Sequence, residues 1–226
     1  MNSEIEKIFE RYKKRKEFNA TNKNPGNHYY NHYSRSEREL KYSKIIKNKF
    51  DTIDQIKLME VGAGFGGNLL TFKRIGLEWE YMHANELLPE RFERLKKSFP
   101  GISTYQGDAC ELDISLHSTF DIVLQSTVFT SILDSDFKEK LANKMWSLLK
   151  PQGIILWYDF AFDNPENSDV KGIKRREIKS LFNESKNITF YRTTLAPPIG
   201  RRVKNFYPYI NFFPFLRTHL IAVIEK

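Results

Sequence analysis

The stretch that decides the fold is LMEVGAGFGGNLL, residues 58–70. A short apolar run ends in a glycine-rich turn and then resumes with helical spacing. Two registers fit the glycines. Gly62, Gly64 and Gly67 spell G-x-G-x-x-G, the dinucleotide fingerprint, whereas Gly62, Gly64 and Gly66 spell G-x-G-x-G behind Glu60. Glycines in such a turn let the backbone approach a ligand closely, whatever the ligand is. They do not choose between the registers.

Working outward, the pattern alternates. The segments 56–61, 79–86, 102–109, 120–127, 153–160, 187–195 and 217–226 read as seven short strands. Helical segments separate the first six except between the third and fourth: about 67–75, then 89–99 with Pro89 in its first turn, 134–150 stopped by Pro151, and 172–182. Strands alternating with helices predict an α/β fold, a Rossmann-like, mostly parallel sheet with helices on both faces. No helix is read between the sixth and seventh strands, so the seventh is expected to run antiparallel. Residues 1–50 read as an N-terminal helical extension of two helices, the second beginning near Ser34 or Ser36 after a loop that holds His28, Tyr29, Tyr30, His32 and Tyr33. Residues 51–226 form the main domain, with an insertion at about 196–216 placed as a lid.

Composition narrows the class. The 226 residues are 40% hydrophobic and 28% charged, ordinary for a globular protein. The longest apolar runs are too short to span a bilayer, and the charged N-terminus lacks the core of a secretory signal, so a cytoplasmic location is expected. The one cysteine, Cys110, excludes an intrachain disulfide and a cysteine-rich metal site. The net charge of +8 is unevenly spread: +7 over residues 1–50, −8 over 51–170 and +9 over 171–226. Basic ends suit nucleic acid, anionic lipid, a phosphorylated molecule or plain solvent.

Glu60 separates the two glycine registers. A carboxylate at the end of strand one would repel a pyrophosphate but favour a ligand carrying an ammonium and a sulfonium, as S-adenosylmethionine does. Glu86 ends strand two, 24 positions after Gly62 and near the spacing at which an acid grips ribose hydroxyls. Asp108 ends strand three, where it can accept from an adenine amino group. Any one of these acids alone reads as a helix cap or a turn residue; three at the ends of successive strands read as a cofactor site.

These segments resemble a known family. EVGAGFGGN (60–68), ANELLPERFERLK (84–96), GDACELD (107–113), FDIVLQSTVFTSIL (120–133) and LKPQGIILWYDF (149–160) are similar, in order and spacing, to the motifs of class I S-adenosylmethionine-dependent methyltransferases. The resemblance implies Glu60, Gly62, Gly64 and Asn68 around the methionine part, with Ala63 where cysteine or serine is common. It implies Glu86 and Leu87 at the ribose, Asp108 and Ala109 at the adenine, and Gln125 and Ser126 lining the pocket. The product would be S-adenosylhomocysteine. WYDFAFDNPENSDVKGI (157–173), TLAPPIGRR (194–202) and LRTHLIAVIEK (216–226) resemble a bacterial branch associated with polysaccharide or secondary-metabolite biosynthesis. That implies a glycan or other small hydroxylated acceptor, and Arg201, Arg202 and Lys204 on the insertion are placed to hold a phosphate of a nucleotide-linked or lipid-linked one.

The place after strand four reads QSTV, not the Asn/Asp-Pro-Pro-aromatic motif usual when planar amino groups are methylated, which disfavours nucleobases and nucleic acid. It also lacks the carboxylate that metal-dependent O-methyltransferases place there, so no metal is expected, although Asp159 with Asp163 or Asn164 is an oxygen-rich option. For an acceptor hydroxyl, whose proton must leave, Asp159 and His219 are the candidate catalytic residues. A histidine entering a core strand also reads as a satisfied buried polar group. Tyr29, Tyr30 and His32, with Arg201 and Arg202 on the insertion, are candidate acceptor contacts. An RNA-modifying or RNA-binding protein and an NAD-dependent oxidoreductase are the alternative readings.

Overall fold

The computed structural model describes residues 3–21, 27–164 and 167–226. Two helices, α1 (Ser3–Thr21) and α2 (Asn27–Lys49), precede β1 (Leu58–Val61). There follow α3 (Gly67–Ile75), β2 (Met82–Glu86), α4 (Pro89–Ser98), β3 (Ser103–Gln106), β4 (Phe120–Ser126) and α5 (Ser135–Leu148). The chain continues through β5 (Leu149–Phe160), α6 (Arg175–Leu181) and β6 (Asn187–Leu195). It then passes through α7 (Pro197–Val203) and α8 (Tyr207–Ile210) into β7 (Arg217–Glu225).

The seven strands form one sheet in the order β3-β2-β1-β4-β5-β7-β6. β7 pairs antiparallel with both β5 and β6, and the other pairs are parallel. The expected Rossmann-like sheet is thus present. Strand order reverses at β1, between β2 and β4, which opens a crevice at the carboxyl ends of those strands.

Period-two alternation divides the core into two layers. Along β5, Ile155 and Trp157 face the α5, α6 and α1 side, where Ile5 and Ile8 join them. Ile154, Leu156 and Tyr158 face the opposite side and pack with Tyr42, Ile45 and Ile46 of α2, Leu69 and Phe72 of α3, and Leu95 of α4. The N-terminal helices therefore contribute one to each layer.

Three boundaries differ from expectation. α2 begins at Asn27, so His28, Tyr29, Tyr30, His32 and Tyr33 lie on its first turns, not in a loop. Ser34 and Ser36 sit inside the helix and donate back to the carbonyls of Asn31 and His32 (3.3 and 3.0 Å). Tertiary packing outweighs the modest helix propensity of these residues: the ring of Tyr33 stacks on Tyr207 at 5.4 Å. Second, residues 79–81 form a 3-10 turn and β2 starts only at Met82. Third, α5 ends before Pro151, which lies within the first residues of β5 where the pairing register with β4 shifts between Phe120 and Ile122.

The insertion between β6 and β7 is folded. Tyr207, 2% exposed, is its anchor. Its hydroxyl accepts from Leu195 N (3.1 Å) and donates to Glu37 Oε2 of α2 (3.3 Å), an oxygen that also accepts from Thr194 N (3.1 Å).

Candidate active site

The glycine turn after β1 resolves its own register. Gly62, Gly64 and Gly66 all have positive φ (68°, 60° and 78°), a region other residues enter at a cost, whereas Gly67 starts α3 with ordinary geometry. A Cβ on Gly62 would lie 2.6 Å from Val128, and one on Gly66 would lie 2.2 Å from the Phe99 ring; on Gly67 it would meet nothing within 4 Å. The demand for glycine is G-x-G-x-G.

Around this turn lies a cavity of about 320 Å³. Ten of the eleven residues expected at the cofactor line it: Glu60, Gly62, Ala63, Gly64, Asn68, Glu86, Leu87, Asp108, Ala109 and Ser126. Glu60 is 1% exposed. Its Oε1 accepts from Asn68 Nδ2 (2.7 Å), while Oε2 is buried with no partner among the described residues. Burial pushes this carboxyl up to about 8, against the lowering by the Asn68 bond and the nearby Arg38. A cationic ligand would relieve that strain.

Glu86 braces the turn. Its carboxylate accepts from Gly64 N (2.7 Å) and Leu88 N (2.9 Å), so the end of β2 and the glycine loop are tied together. Asn85 ties β2 to β3 by donating to the carbonyls of Tyr105 and Gly107. Asp108 combines two roles: it lines the cavity and caps the 3-10 turn 109–111 through Cys110 N (2.9 Å).

Gln125 does not line the cavity. Fully buried, it accepts from Val128 N (3.1 Å) and donates to Tyr158 O (3.5 Å), shaping the turn after β4. Asp159 and His219 do not line it either, and the sheet separates them. Asp159 pairs in register with Leu220, and Phe160 with His219, so the two side chains leave opposite faces. Asp159 Oδ1 accepts from Thr130 Oγ1 (2.5 Å) on the α5 side, with burial raising its carboxyl to about 7. His219 stacks on Tyr158 (5.2 Å), and burial first, then Arg38, pushes it down to about 3, so the ring is neutral. Asp163 accepts from Gly172 N (2.9 Å), and no group of three His, Cys, Asp or Glu among the described residues is arranged to hold a metal ion.

The acceptor candidates also lie off the cavity. Tyr30 packs against Gly200 and Tyr207 and donates to Leu195 O (3.4 Å). Arg201 lies 5.9 Å from the Tyr30 ring centroid. Tyr29 is half-buried, and His32 and Arg202 are exposed.

The N-terminal helices roof the cavity with residues the motifs did not flag. α1 supplies Ile8 and Tyr12, and α2 supplies Arg35, Arg38 and Tyr42. α1 is held in place by Arg11, itself buried, which donates to Ser131 O (3.0 Å), and by Glu4 of the same helix, whose Oε1 accepts from Leu133 N (2.9 Å) and from Arg11 (2.6 Å). Arg38 Nη1 donates to Ser126 Oγ (3.2 Å), its guanidinium covers Tyr158 at 4.3 Å, and its Nε is buried without a partner. Arg35, Arg38 and Tyr42 are spaced i, i+3, i+7, one helix face, which was the readable signal.

Residues 59–157 match the family model described as a methyltransferase domain. No curated protein matches the chain. Among solved structures, the fold is similar to a SAM-dependent methyltransferase from Archaeoglobus fulgidus (14% identity, TM-score 0.57, covering 88% of this chain and 100% of that one). It is similar to another from Methanosarcina mazei (12%, TM-score 0.59, 80% and 96%). It also resembles phosphoethanolamine N-methyltransferase 2 of Haemonchus contortus in complex with S-adenosyl-L-methionine (16%, TM-score 0.57, 82% and 52%). Residues 59–157 thus carry a methyltransferase domain, which makes the chain an enzyme, and its fold is similar to that of these SAM-dependent methyltransferases.

Proposed function

We propose that this methyltransferase acts on a hydroxyl of a sugar or other small hydroxylated acceptor, within glycan or metabolite biosynthesis. The observation that carries the reading is the end of β4. There Ser126 and Thr127 line the cavity: Ser126 Oγ accepts from Arg38 Nη1 (3.2 Å) and Thr127 Oγ1 donates to Ser126 O (2.7 Å), which leaves the Ser126 proton and the Thr127 oxygen lone pairs for an acceptor. This wall offers hydrogen-bonding partners of the kind a polyol needs, not the flat clamp that suits a planar amino group. The SAM-dependent class fixes the donor but not the atom methylated.

The residues fit the cofactor. Glu60 Oε2 and Arg38 Nε are buried and unpartnered on one cavity, and a bound cation would draw Glu60 into its ionised form. Together they match the ammonium and carboxylate of an α-amino acid, with Glu60 taking the first and Arg38 the second. Glu86 and Leu87 are assigned to the ribose, Asp108 and Ala109 to the adenine. When bound, the cofactor supplies an electrophilic methyl group on a sulfonium. The chain's own contribution is positional: it holds the acceptor oxygen in line and excludes water under the α1–α2 roof, which for a displacement at carbon supplies much of the rate. With Asp159 and His219 off the cavity, proton removal is left to cavity groups or to water.

The test is a methyl-transfer screen with radiolabelled cofactor over nucleotide sugars, glycans, small amines and RNA. Label in an alkali-stable ether on a sugar supports the proposal. Label confined to amines or RNA overturns it.

A further inference from the structure

The insertion and the strand edge beside it carry a surface that the cofactor site does not use. Phe206, Tyr209, Phe212, Phe213 and Phe215 are 44–78% exposed, five large aromatic rings within ten residues. They form two neighbouring sets by ring-centroid distance: Phe206 with Tyr209 (6.4 Å), and Phe213 with Phe212 (5.9 Å) and Phe215 (5.8 Å). Scattered single apolar residues are ordinary on a protein surface; a contiguous group of this kind marks an interaction site. The backbone beneath is fixed, since Tyr207 is buried under α2 and Arg217 Nε donates to Asn211 O (2.9 Å).

Arg217 also belongs to a second feature. It lines a groove of about 440 Å³ together with Lys174, Arg175, Arg176 and Arg192, with no acidic residue in the lining. Among the described residues, none of these five cations is engaged in an ion pair with an acid, and Phe162, 53% exposed, forms part of the rim. Residues 196–217 themselves hold four Lys/Arg and no acid. Aromatic knob and cationic groove are therefore continuous through Arg217.

We propose that this face docks on an anionic lipid membrane surface. Charge and shape both select that occupant. Aromatic rings suit the headgroup boundary, and neighbouring cations add attraction to anionic lipid, the two-part signal that peripheral binding needs. No helix among the described residues is long and apolar enough to cross a membrane, so the attachment is peripheral. β6 ends and β7 begins on the same sheet edge at which the cofactor cavity opens, so docking turns the cavity toward the bilayer. The proposal stands on the surface alone and does not depend on which atom is methylated.

The test is co-sedimentation with phosphatidylcholine vesicles, with and without about 30% phosphatidylglycerol, at about 0.15 M salt. The unmodified protein should bind the anionic vesicles at least about tenfold more tightly than the neutral ones. Replacing Phe206, Tyr209, Phe212 and Phe215 together by serine should weaken binding about tenfold or more. Arg176→Glu with Arg192→Glu should weaken it about 25-fold, at roughly fivefold per cation. Calorimetric binding of S-adenosylhomocysteine, unchanged in both variants, reports that the fold is intact. Three results would each overturn the proposal. One is binding that ignores phosphatidylglycerol; another is anionic-vesicle binding retained by the serine variant. The third is stronger, variant-sensitive binding to poly(U) or to a second copy of the chain, which would assign the surface to RNA or to self-association.

Discussion

The two halves of the sheet handle polar and apolar surface in opposite ways. On the β1–β4 side, acids point inward: Glu60 and Glu86 are nearly inaccessible, and a carboxylate without a full set of partners is held beside glycines in left-handed geometry. On the β5–β7 side, cations and aromatic rings point outward. The first half keeps its strained carboxyl, Glu60, on the wall of a ligand cavity; the second buries its own, Asp159, away from that cavity and turns cations and rings to the surface.

Four experiments probe that contrast, the largest effect first. Glu60→Gln should weaken S-adenosylhomocysteine binding by about 30-fold or more, because the cofactor's ammonium loses its buried counter-charge. The same variant should change stability in the other direction. Glu60 titrates near 8 in the fold, above its ordinary 4.5, so its protonated form is the one the fold favours. Its contribution is complete below the ordinary value and is lost as pH rises through about 8, with a slope approaching ~1.4 kcal/mol per pH unit. Urea unfolding without ligand at pH 6 and pH 9 should show the variant losing less stability than the parent over that range. An equal loss would remove Glu60 from the ledger of strained groups.

Next, Gly66→Ala should cost about 2–4 kcal/mol from the left-handed φ and the collision with Phe99. Gly67→Ala, one residue on, should be neutral or slightly stabilising as a helical alanine. A matching penalty at both positions would restore the dinucleotide register. Third, Glu37→Gln weakens the acceptor shared by Thr194 N and Tyr207 Oη and should cost about 1–2 kcal/mol. Limited proteolysis in the 197–216 segment should quicken with it. Smallest, the four aromatic-to-serine changes on the insertion should each alter unfolding free energy by no more than about 0.5 kcal/mol, as expected for largely exposed side chains that meet only one another.

Much of the fold and one side of the site were legible because they rest on local chemistry. Strand periodicity, the glycine turn and acids at strand ends repeat at fixed spacings, and ten of the eleven cofactor candidates meet on one cavity. The roof was not legible. Arg38 and Tyr42 reach the cavity only through the packing of α2 across α3 and β6, a long-range result that helical spacing alone does not specify. Asp159 and His219 failed to converge on it for a related reason. Their shared sheet edge was readable from topology, but the one-residue offset in the β5–β7 register puts them on opposite faces, and register is a tertiary property. The aromatic start of α2 was read as a loop because Tyr207, its stacking partner, lies far along the sequence.

The ties of α2 set an order of events. This helix spans residues 27–49, yet Lys49 pairs with Glu225 (2.7 Å) and Glu37 with groups at residues 194 and 207. Such distant contacts must close very large chain loops before they return any stabilisation. The cavity is therefore expected to be complete only once the final strand has joined the sheet. A fragment carrying only the motif-bearing segment 56–160 would keep the recognisable signature while lacking both the guanidinium and the final strand that helps keep it in place. In this enzyme the segment that identifies the cofactor and the segments that enclose it are different lengths of chain.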